Sequence, residues 1–151
     1  DKPAVTTDVI VGFPGESDDE FQATFEYLSE LKLYEMHVFT YSRRKGTLAD
    51  KMPEQINGNV RRERSEKLRR LNTMNKEIFE DSFVGDEVEV LIEESVEIDG
   101  KCYMAGHSKR YVKVAVEGGD ESVIGEVVRM RITRRLNSEY MLGTDVTGVL
   151  S

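Results

Sequence analysis

The spacing of apolar residues up to Tyr41 predicts a strand, a helix and a second strand. Residues 4–11 are rich in β-branched side chains and end in consecutive apolar positions, which is typical of a buried parallel strand. Ser17 and Glu20 then give the S-x-x-E pattern of a capping box at a helix start. A second strand is predicted from Met36 to Tyr41, and because a helix joins the two strands we expect them to be parallel. The helix carries its apolar residues on one face, at Phe21, Phe25, Leu28 and Leu31.

A loop and one long helix are predicted to follow. Residues 42–59 contain a proline and two glycines and indicate a loop. Residues 60–82 indicate a helix whose first half is mostly charged. Its apolar stripe is confined to the second half, at Leu68, Leu71, Met74 and Ile78. The helix is expected to end at 83–85, and we predict a domain boundary at about residues 84–86, with one domain over 1–84 and a second over 85–151.

From Glu87 onward the apolar period changes to two, which predicts strands. Val88, Val90 and Ile92 alternate with acidic residues, and Asp99-Gly100 is typical of a tight hairpin turn. Short strands separated by regular turns indicate a small, closed, five-stranded β-barrel. The predicted fold class is therefore an α/β segment followed by an all-β barrel. The further strands are predicted over 101–105, 111–117, 127–133 and 140–142, with a tail strand over 146–150 as an addition.

The charge of the chain limits its partners. It carries 21 Lys and Arg against 29 Asp and Glu, a net charge of -8, which argues against binding polyanions over the whole surface. The charge is unevenly spread, because residues 86–99 hold seven acids and no base while residues 101–135 hold eight bases and four acids. A local basic surface for RNA is therefore compatible with the composition. No signal peptide or membrane-spanning run is present, so we expect a cytoplasmic protein.

The single cysteine, Cys102, excludes an internal disulfide. It also excludes any iron–sulfur site that would take two or more thiolates from this chain. We therefore predict neither a metal ligand nor a catalytic residue here. The chain begins at Asp1, close to the first predicted strand, and we expect it to be a C-terminal piece of a longer protein.

Three features are expected to meet at the carboxyl edge of the predicted sheet, where α/β proteins bind ligands. The turn Gly12-Phe13-Pro14-Gly15 allows close backbone approach to a ligand, although a plain strand–helix turn needs the same residues. Phe39 and Tyr41 share one strand face with His37, where they would flank a heterocycle or pack in the core. The run Arg43-Arg44-Lys45 would hold phosphates or form a solvated loop.

Basic residues also cluster on the long helix and in the barrel. On the helix we expect a solvated face with i,i+4 pairing, formed by Arg61, Arg62, Arg64, Lys67, Arg69 and Arg70. In the barrel, outward-facing cations combine with an aromatic ring, which is the usual design for contacting single-stranded or loop RNA. The alternative is that these cations pair with the acids of residues 86–99. The set comprises His107, Lys109, Arg110, Tyr111, Lys113, Arg129 and Arg131.

These segments resemble a known family. TTDVIVGFPGES (6–17), VFTYSRRKGT (38–47) and KMPEQI (51–56) resemble the radical S-adenosylmethionine methylthiotransferases. The segments VGDEVEVLIEE, GKCYMAGHSKRYVKV and VVRMRITRRLNSEYMLG are similar to the TRAM domain, an RNA-binding β-barrel at the C-terminus of these enzymes. Members of the family add a methylthio group to a modified adenosine in tRNA or, in one branch, to an aspartate of a ribosomal protein.

The resemblance implies a fold, cofactors and a partner. Residues 1–84 would be the end of a partial (β/α) radical SAM barrel and residues 85–151 a TRAM barrel. The parent enzyme would use S-adenosylmethionine and 4Fe–4S clusters, and its partner would be the tRNA anticodon stem-loop. Arg43, Arg44 and Lys45 would lie near this RNA, and Arg44-Lys45 resembles the branch that acts on threonylcarbamoyladenosine. The cofactor would be contacted by Asp8, Val11, Gly12, Phe13, Phe39 and Tyr41.

The chain departs from the family because it lacks the Cys-x-x-x-Cys-x-x-Cys triplet that holds a 4Fe–4S cluster. We therefore expect this piece to be inactive alone. Three alternatives stay open: a stand-alone RNA-binding module, a protein-interaction adaptor, and an enzyme piece acting on a ribosomal protein. Because two strands cut from a barrel expose sheet edges and an apolar face, residues 1–60 are expected to self-associate or to be poorly ordered.

Overall fold

The computed structural model describes residues 2–148 and Leu150. The chain forms two compact units, an α/β unit over Ala4–Phe79 and a barrel unit made by residues 2–3 with the chain from Glu80 onward. The α/β unit contains β1 (Thr6–Val11), α1 (Asp18–Leu31), β2 (Glu35–Thr40), α2 (Leu48–Lys51) and most of α3 (Gly58–Asp81). The barrel unit contains β3 (Glu87–Ile98), β4 (Lys101–Ser108), β5 (Lys113–Glu117), a 3₁₀ turn (Glu121–Val123), β6 (Val127–Arg135) and β7 (Met141–Asp145). This order confirms the predicted fold class.

The two strands of the α/β unit pair in parallel along their whole length, which confirms the predicted strand–helix–strand arrangement. Their side chains alternate between two faces. The face turned to the helices belongs to a core made of Val11, Phe21, Leu28, Met36, Leu68 and Leu71. The opposite face leaves Ile10 and Phe39 58% and 52% exposed. Large apolar side chains this exposed on one sheet face are candidates for ligand contact.

Helix α1 begins with the predicted capping box. The Ser17 side chain accepts a hydrogen bond from the Glu20 N–H, and the Glu20 carboxylate accepts one from the Ser17 N–H at 2.8 Å. The pKa of Glu20 is lowered by these hydrogen bonds. The predicted apolar face was wrong at Leu31, which is 45% exposed. Leu31 is the last helical residue and lies about 80° away from the Phe21 direction, so it falls at the edge of the buried stripe.

Helix α3 differs from the prediction in the identity of its buried face. Met74 and Ile78 were expected in the apolar stripe but are 58% and 54% exposed. The buried positions follow the helical period with polar residues at both ends, in the order Arg64, Leu68, Leu71 and Asn75. The helix begins at Gly58, two residues earlier than expected, and the short helix α2 lies inside the predicted loop.

The five strands close into a barrel in the order β3-β4-β5-β7-β6, which confirms the architecture expected from the alternating pattern. Asp99 and Gly100 have φ angles of 51° and 76°, the left-handed pair that the predicted hairpin turn requires. The inward positions form a dry core that includes Val90, Ile92, Val114, Val128, Met130 and Ile132, all 0% exposed.

Three strand limits differ from the sequence prediction. Strand β4 extends to Ser108 past Gly106, where a Cβ would lie 1.7 Å from the Leu91 carbonyl oxygen, so only glycine lets the strands approach there. Strand β5 begins after Tyr111, because Tyr111 has a left-handed φ of 61°. Residues 146–148 form bends instead of a tail strand, and Val149 of that prediction lies outside the described residues.

Candidate functional site

A hollow of about 400 Å³ lies at the carboxyl ends of β1 and β2. Its apolar lining comes from Ile10, Phe13, Phe39 and Tyr41. The rings of Phe13 and Tyr41 meet edge to face, with centroids 5.3 Å apart and planes at 67°. The buried hydroxyl of Tyr41 has no hydrogen-bond partner among the described residues. The hollow therefore offers apolar aromatic walls, which suit a planar heterocycle.

The other sequence-predicted residues near this hollow play different parts. Asp8 is exposed on the same face of β1 as Ile10 and lies opposite His37 in the strand register. Val11 is 1% exposed and belongs to the core, so its side chain does not reach the hollow. Gly12 has a φ of 71°, and a Cβ on it would lie 2.2 Å from Cγ of Arg61. The close approach that Gly12 permits is therefore to Arg61.

Ion pairs link helix α3 to the turn that forms one side of the hollow. The Arg64 guanidinium donates to the Glu16 and Asp18 carboxylates at 2.5 and 2.6 Å and to the Glu16 carbonyl at 3.0 Å. Burial works against the charged form, but these hydrogen bonds outweigh it and raise the pKa of Arg64. The expectation of a solvated basic helix face is therefore wrong at Arg64, although Lys67 and Glu63 do form an i,i+4 pair at 3.4 Å.

Arg61 has a similar anchoring role. Its Nη1 donates to the Tyr41 carbonyl at 2.6 Å, while its Nε is buried with no partner in residues 2–148 or Leu150. The signal that could have revealed Arg64 is the Glu16 carboxylate, which needs a cationic partner once it is buried against a helix.

In the basic loop after β2, one cation forms an ion pair and two do not in the described chain. Arg43 donates to the Asp50 carboxylate at 2.9 Å and to the Asp50 carbonyl at 2.8 Å. Arg44 lines the rim of the hollow, and Lys45 follows it on the exposed loop. Neither Arg44 nor Lys45 has an ion-pair partner within the described part of the chain. Arg44 is thus an exposed cation at the rim of the hollow, and Lys45 is the next residue of the loop.

On the barrel, the predicted basic face is largely neutralised by acids of β3. His107 contacts Glu93 at 2.5 Å, and Arg131 pairs with Glu87 at 2.6 Å. Lys109 pairs with Glu89, and the hydrogen bond from Lys109 lowers the pKa of Glu89. The structure thus favours the alternative of pairing with residues 86–99 at these positions.

Further members of the predicted basic set lie beside these pairs. Lys113 pairs with Glu139 at 2.6 Å and lies over the Tyr140 ring. Arg129 lies opposite Glu89 in the strand register and adds to the lowering of the Glu89 pKa. Arg110 follows Lys109 and lines a neighbouring depression with Glu87 and Glu89. Acidic side chains therefore face the whole cationic set.

A second hollow, of about 370 Å³, lies among these ion pairs on the barrel. Its apolar part comes from Leu91, Tyr111 and Val127, which are 42%, 69% and 58% exposed. Tyr111 could be identified from the sequence, but Leu91 and Val127 were missed, although Leu91 interrupts the outward acids of β3 and Val127 begins the outward face of β6. A hollow with an exposed apolar base and charged residues around it can bind a flat aromatic ring.

The described residues contain neither a membrane-spanning helix nor a metal centre. No helix among them combines the length and apolarity needed to cross a membrane. Within the same residues no three His, Cys, Asp or Glu side chains lie together as a metal centre would need. Cys102 is a free thiol at the exposed start of β4.

No family model matches this chain, although most of its length is similar in sequence to known proteins. It is 37% identical over 132 residues to the threonylcarbamoyladenosine tRNA methylthiotransferase MtaB of Bacillus subtilis (strain 168), covering 87% of this chain and 29% of that protein. It is 40% identical over 142 residues to the tRNA-2-methylthio-N(6)-dimethylallyladenosine synthase of Alkaliphilus oremlandii, covering 91% of this chain and 30% of that protein. A probable threonylcarbamoyladenosine tRNA methylthiotransferase of Methanocaldococcus jannaschii is 39% identical over 128 residues, covering 85% of this chain and 27% of that protein. The chain thus spans under a third of the length of these relatives.

Proposed function

We propose that this chain, which is related to the tRNA methylthiotransferases over most of its length, is the part of such an enzyme that completes a cofactor site and contacts RNA. In this proposal the α/β unit is the end of a radical SAM barrel and the barrel unit is a TRAM domain. The observation that carries it is the aromatic hollow at the carboxyl ends of two parallel strands, formed by Ile10, Phe13, Phe39 and Tyr41.

The aromatic lining of this hollow suits the adenine ring of S-adenosylmethionine. Its adenine would lie against the rings of Phe39 and Tyr41, and Phe13 would close the side, because purines stack well on aromatic faces. When bound, S-adenosylmethionine supplies a methyl group and the precursor of a radical. The chain's own part is to orient the cofactor and keep water from the adenine ring.

A 4Fe–4S cluster does not fit the residues of this chain. Cluster binding takes several thiolates, and the chain has a single cysteine, which lies at the exposed start of β4 in the barrel unit. The cluster ligands of the parent enzyme would therefore come from sequence other than these 151 residues. The chain alone is accordingly expected to have no methylthiotransferase activity.

The barrel unit is proposed to contact the tRNA anticodon stem-loop through its second hollow. A splayed base would lie on Tyr111 above Leu91 and Val127, while the surrounding cations meet phosphates. The pairing of Lys109 and Arg131 with β3 acids keeps the free surface close to neutral. Binding would then depend more on stacking and shape than on bulk charge, so we expect weak affinity from the barrel alone.

The modified adenosine that serves as substrate is proposed from the cations at the hollow's rim. A threonylcarbamoyl group carries a carboxylate, whereas a dimethylallyl group is uncharged. Arg44 and Lys45 have no carboxylate partner in the described chain, and Arg44 lines the rim of the hollow. We therefore favour threonylcarbamoyladenosine, because an anionic substituent would be stabilised there.

The cofactor proposal is tested by titrating S-adenosylmethionine into the isotopically labelled chain and following amide shifts by NMR. Shifts are expected at Ile10, Phe13 and Phe39, with none in the β5 strand of the barrel. Replacing Phe39→Ala should weaken binding by about tenfold, since stacking on one ring contributes about 1–3 kcal/mol. Tyr27→Ala is the matched control, because Tyr27 is an exposed aromatic residue of α1. Equal affinities in the two variants would remove the proposed site.

A further inference from the structure

Besides the aromatic hollow, the α/β unit has a larger groove between the end of β2 and the first turns of α3. It encloses about 720 Å³ and is lined on the helix side by Arg61, Arg62, Ser65, Glu66 and Arg69. Arg43 lines it on the strand side, beside the backbone of residues 40–42. We refer to this feature as the arginine groove. The sequence pattern alone predicts no more than a solvated face for its helical residues.

Of the four guanidinium groups in the groove, that of Arg43 is paired with Asp50, and the other three have no carboxylate partner in the described chain. Arg62 donates to the amide oxygen of Asn59 at 3.3 Å and Arg69 to the Val38 carbonyl at 3.4 Å, both neutral partners. Arg61 donates to the Tyr41 carbonyl, and its buried Nε is unpartnered within the described chain. Of the lining residues, Glu66 alone carries a carboxylate. The groove is therefore a local positive surface on a chain of net charge -8.

The spacing of these cations indicates an extended anion. Arg62, Glu66 and Arg69 lie at i, i+4 and i+7 and so share one helix face. Seven residues of helix correspond to about 10 Å along its axis, which is more than a single phosphate group spans. Guanidinium groups bind phosphate oxygens through paired N–H donors. A strand with regularly spaced phosphates matches this row better than a small anion does.

We propose that the arginine groove binds successive phosphates of an RNA strand, with Arg62 and Arg69 as the two outer contacts. The identity of the strand as RNA rests on the proposed function, whereas the anion-binding chemistry rests on the groove itself. Glu66 opposes binding, since its carboxylate lies between the two outer arginines.

The test compares paired variants of exposed residues on one helix. Arg62→Gln with Arg69→Gln removes both outer arginines, Arg62→Lys with Arg69→Lys keeps the charge, and Arg70→Gln is a control next to the groove. The probe is a labelled anticodon stem-loop RNA, titrated at several salt concentrations. The glutamine pair should bind about tenfold more weakly, and its logarithmic salt slope should be shallower by about 1.4, at about 0.7 per phosphate neutralised on a single strand. The lysine pair and Arg70→Gln should keep the wild-type slope, and Glu66→Gln should tighten binding.

Inorganic polyphosphate as a second probe separates this proposal from the proposed function. If RNA binds the glutamine pair with the wild-type slope, the groove is not an RNA site, although the function proposal survives. A different result would show a general anion site. In that case the glutamine pair would no longer bind polyphosphate, and the wild type would bind RNA no more tightly than polyphosphate. The RNA function would then fail. Binding of neither probe overturns both. Thermal melting of each variant verifies that the fold is retained.

Discussion

Nη1 of Arg64 lies 2.5 Å from Oε2 of Glu16, in a contact where the two side chains are only 6% and 16% exposed. The same Glu16 oxygen accepts the Gly12 N–H at 2.7 Å. One carboxylate thus ties helix α3 to the start of the turn after β1. Since that turn carries Phe13, the geometry of the aromatic hollow depends on an ion pair between residues 48 positions apart.

Replacing Arg64→Met should destabilise the α/β unit by about 3 kcal/mol, because it leaves a buried carboxylate without its cation. Urea denaturation followed by far-UV circular dichroism measures the change. Arg62→Met is the control, since Arg62 is exposed and bonds only to Asn59, and it should stay within about 0.5 kcal/mol of wild type. Similar losses of stability in both variants would mean that the pair does not hold the turn.

Replacing Gly12→Ala should also destabilise the α/β unit, through a clash with Arg61. Gly12 and Gly46 both have positive φ angles, 71° and 92°, so alanine strains the backbone at either position. At Gly46 a Cβ would meet nothing within 4 Å, whereas at Gly12 it would lie 2.2 Å from the Arg61 Cγ. Gly46→Ala should therefore cost about 1 kcal/mol and Gly12→Ala at least about 2 kcal/mol more. Thermal melts of the two variants check the difference, and equal melting temperatures would contradict it.

Features that the sequence predicted well depend on neighbouring residues. The capping box needs only Ser17 and Glu20, and the hairpin needs only Asp99 and Gly100, so both could be recognised from a few consecutive positions. The alternation of β3 likewise reports burial directly, because its period belongs to the strand itself.

The features that were missed depend on partners far along the chain. Arg64 and Asn75 extend the buried face of α3, but a hydrophobic pattern cannot mark polar residues as buried. The neutralised barrel face depends on the register that sets Glu89 opposite Arg129 and Glu87 opposite Arg131. Such pairing is fixed only when the barrel closes, so a run of basic residues overstated the free positive charge.

Asp145 is predicted to stabilise the barrel unit in a pH-dependent way. Burial raises its pKa, but hydrogen bonds from the Thr147 side chain and from the backbone of Leu150, Thr147 and Gly148 lower it to about 2. Because the folded pKa lies below the unfolded value of about 3.9, the stabilisation is fully present above about pH 5 and is lost progressively as the pH falls towards 2. Asp145→Asn should cost about 1–2 kcal/mol at pH 7 and little at pH 2.

Urea denaturation at several pH values measures this dependence. Glu97→Gln is the control, because Glu97 is an exposed carboxylate of the same barrel, and it should change stability by less than about 0.5 kcal/mol at pH 7. A loss of stability for Asp145→Asn that stays constant from pH 7 to pH 2 would show that the loop depends on packing instead of the charged acceptor.

Self-association is expected of the α/β unit through its exposed sheet. A two-stranded sheet has two open edges, and Ile10 and Phe39 present apolar surface on one face. A second copy of the same chain can cover both. Sedimentation velocity should show association that increases with protein concentration, and Ile10→Lys should reduce it while Tyr27→Lys on α1 should not. A monomer at every concentration would contradict this expectation.

The acids of β3 are predicted to restrain RNA binding by the barrel, because Glu87, Glu89 and Glu93 pair with Arg131, Lys109 and His107. Changing all three acids to Gln frees Lys109 and Arg131 for phosphate, so affinity for a labelled stem-loop RNA should rise and its salt slope should steepen, by up to about 0.7 for each freed cation. The triple variant Glu97→Gln, Asp99→Asn and Glu121→Gln is the matched control, because it changes the net charge equally at positions outside the paired face. If affinity rises equally in both triple variants, only the net charge determines binding, which would contradict this prediction. A larger rise in affinity and a steeper salt slope for the β3 triple variant would mean that the local ion pairs keep these cations from binding RNA.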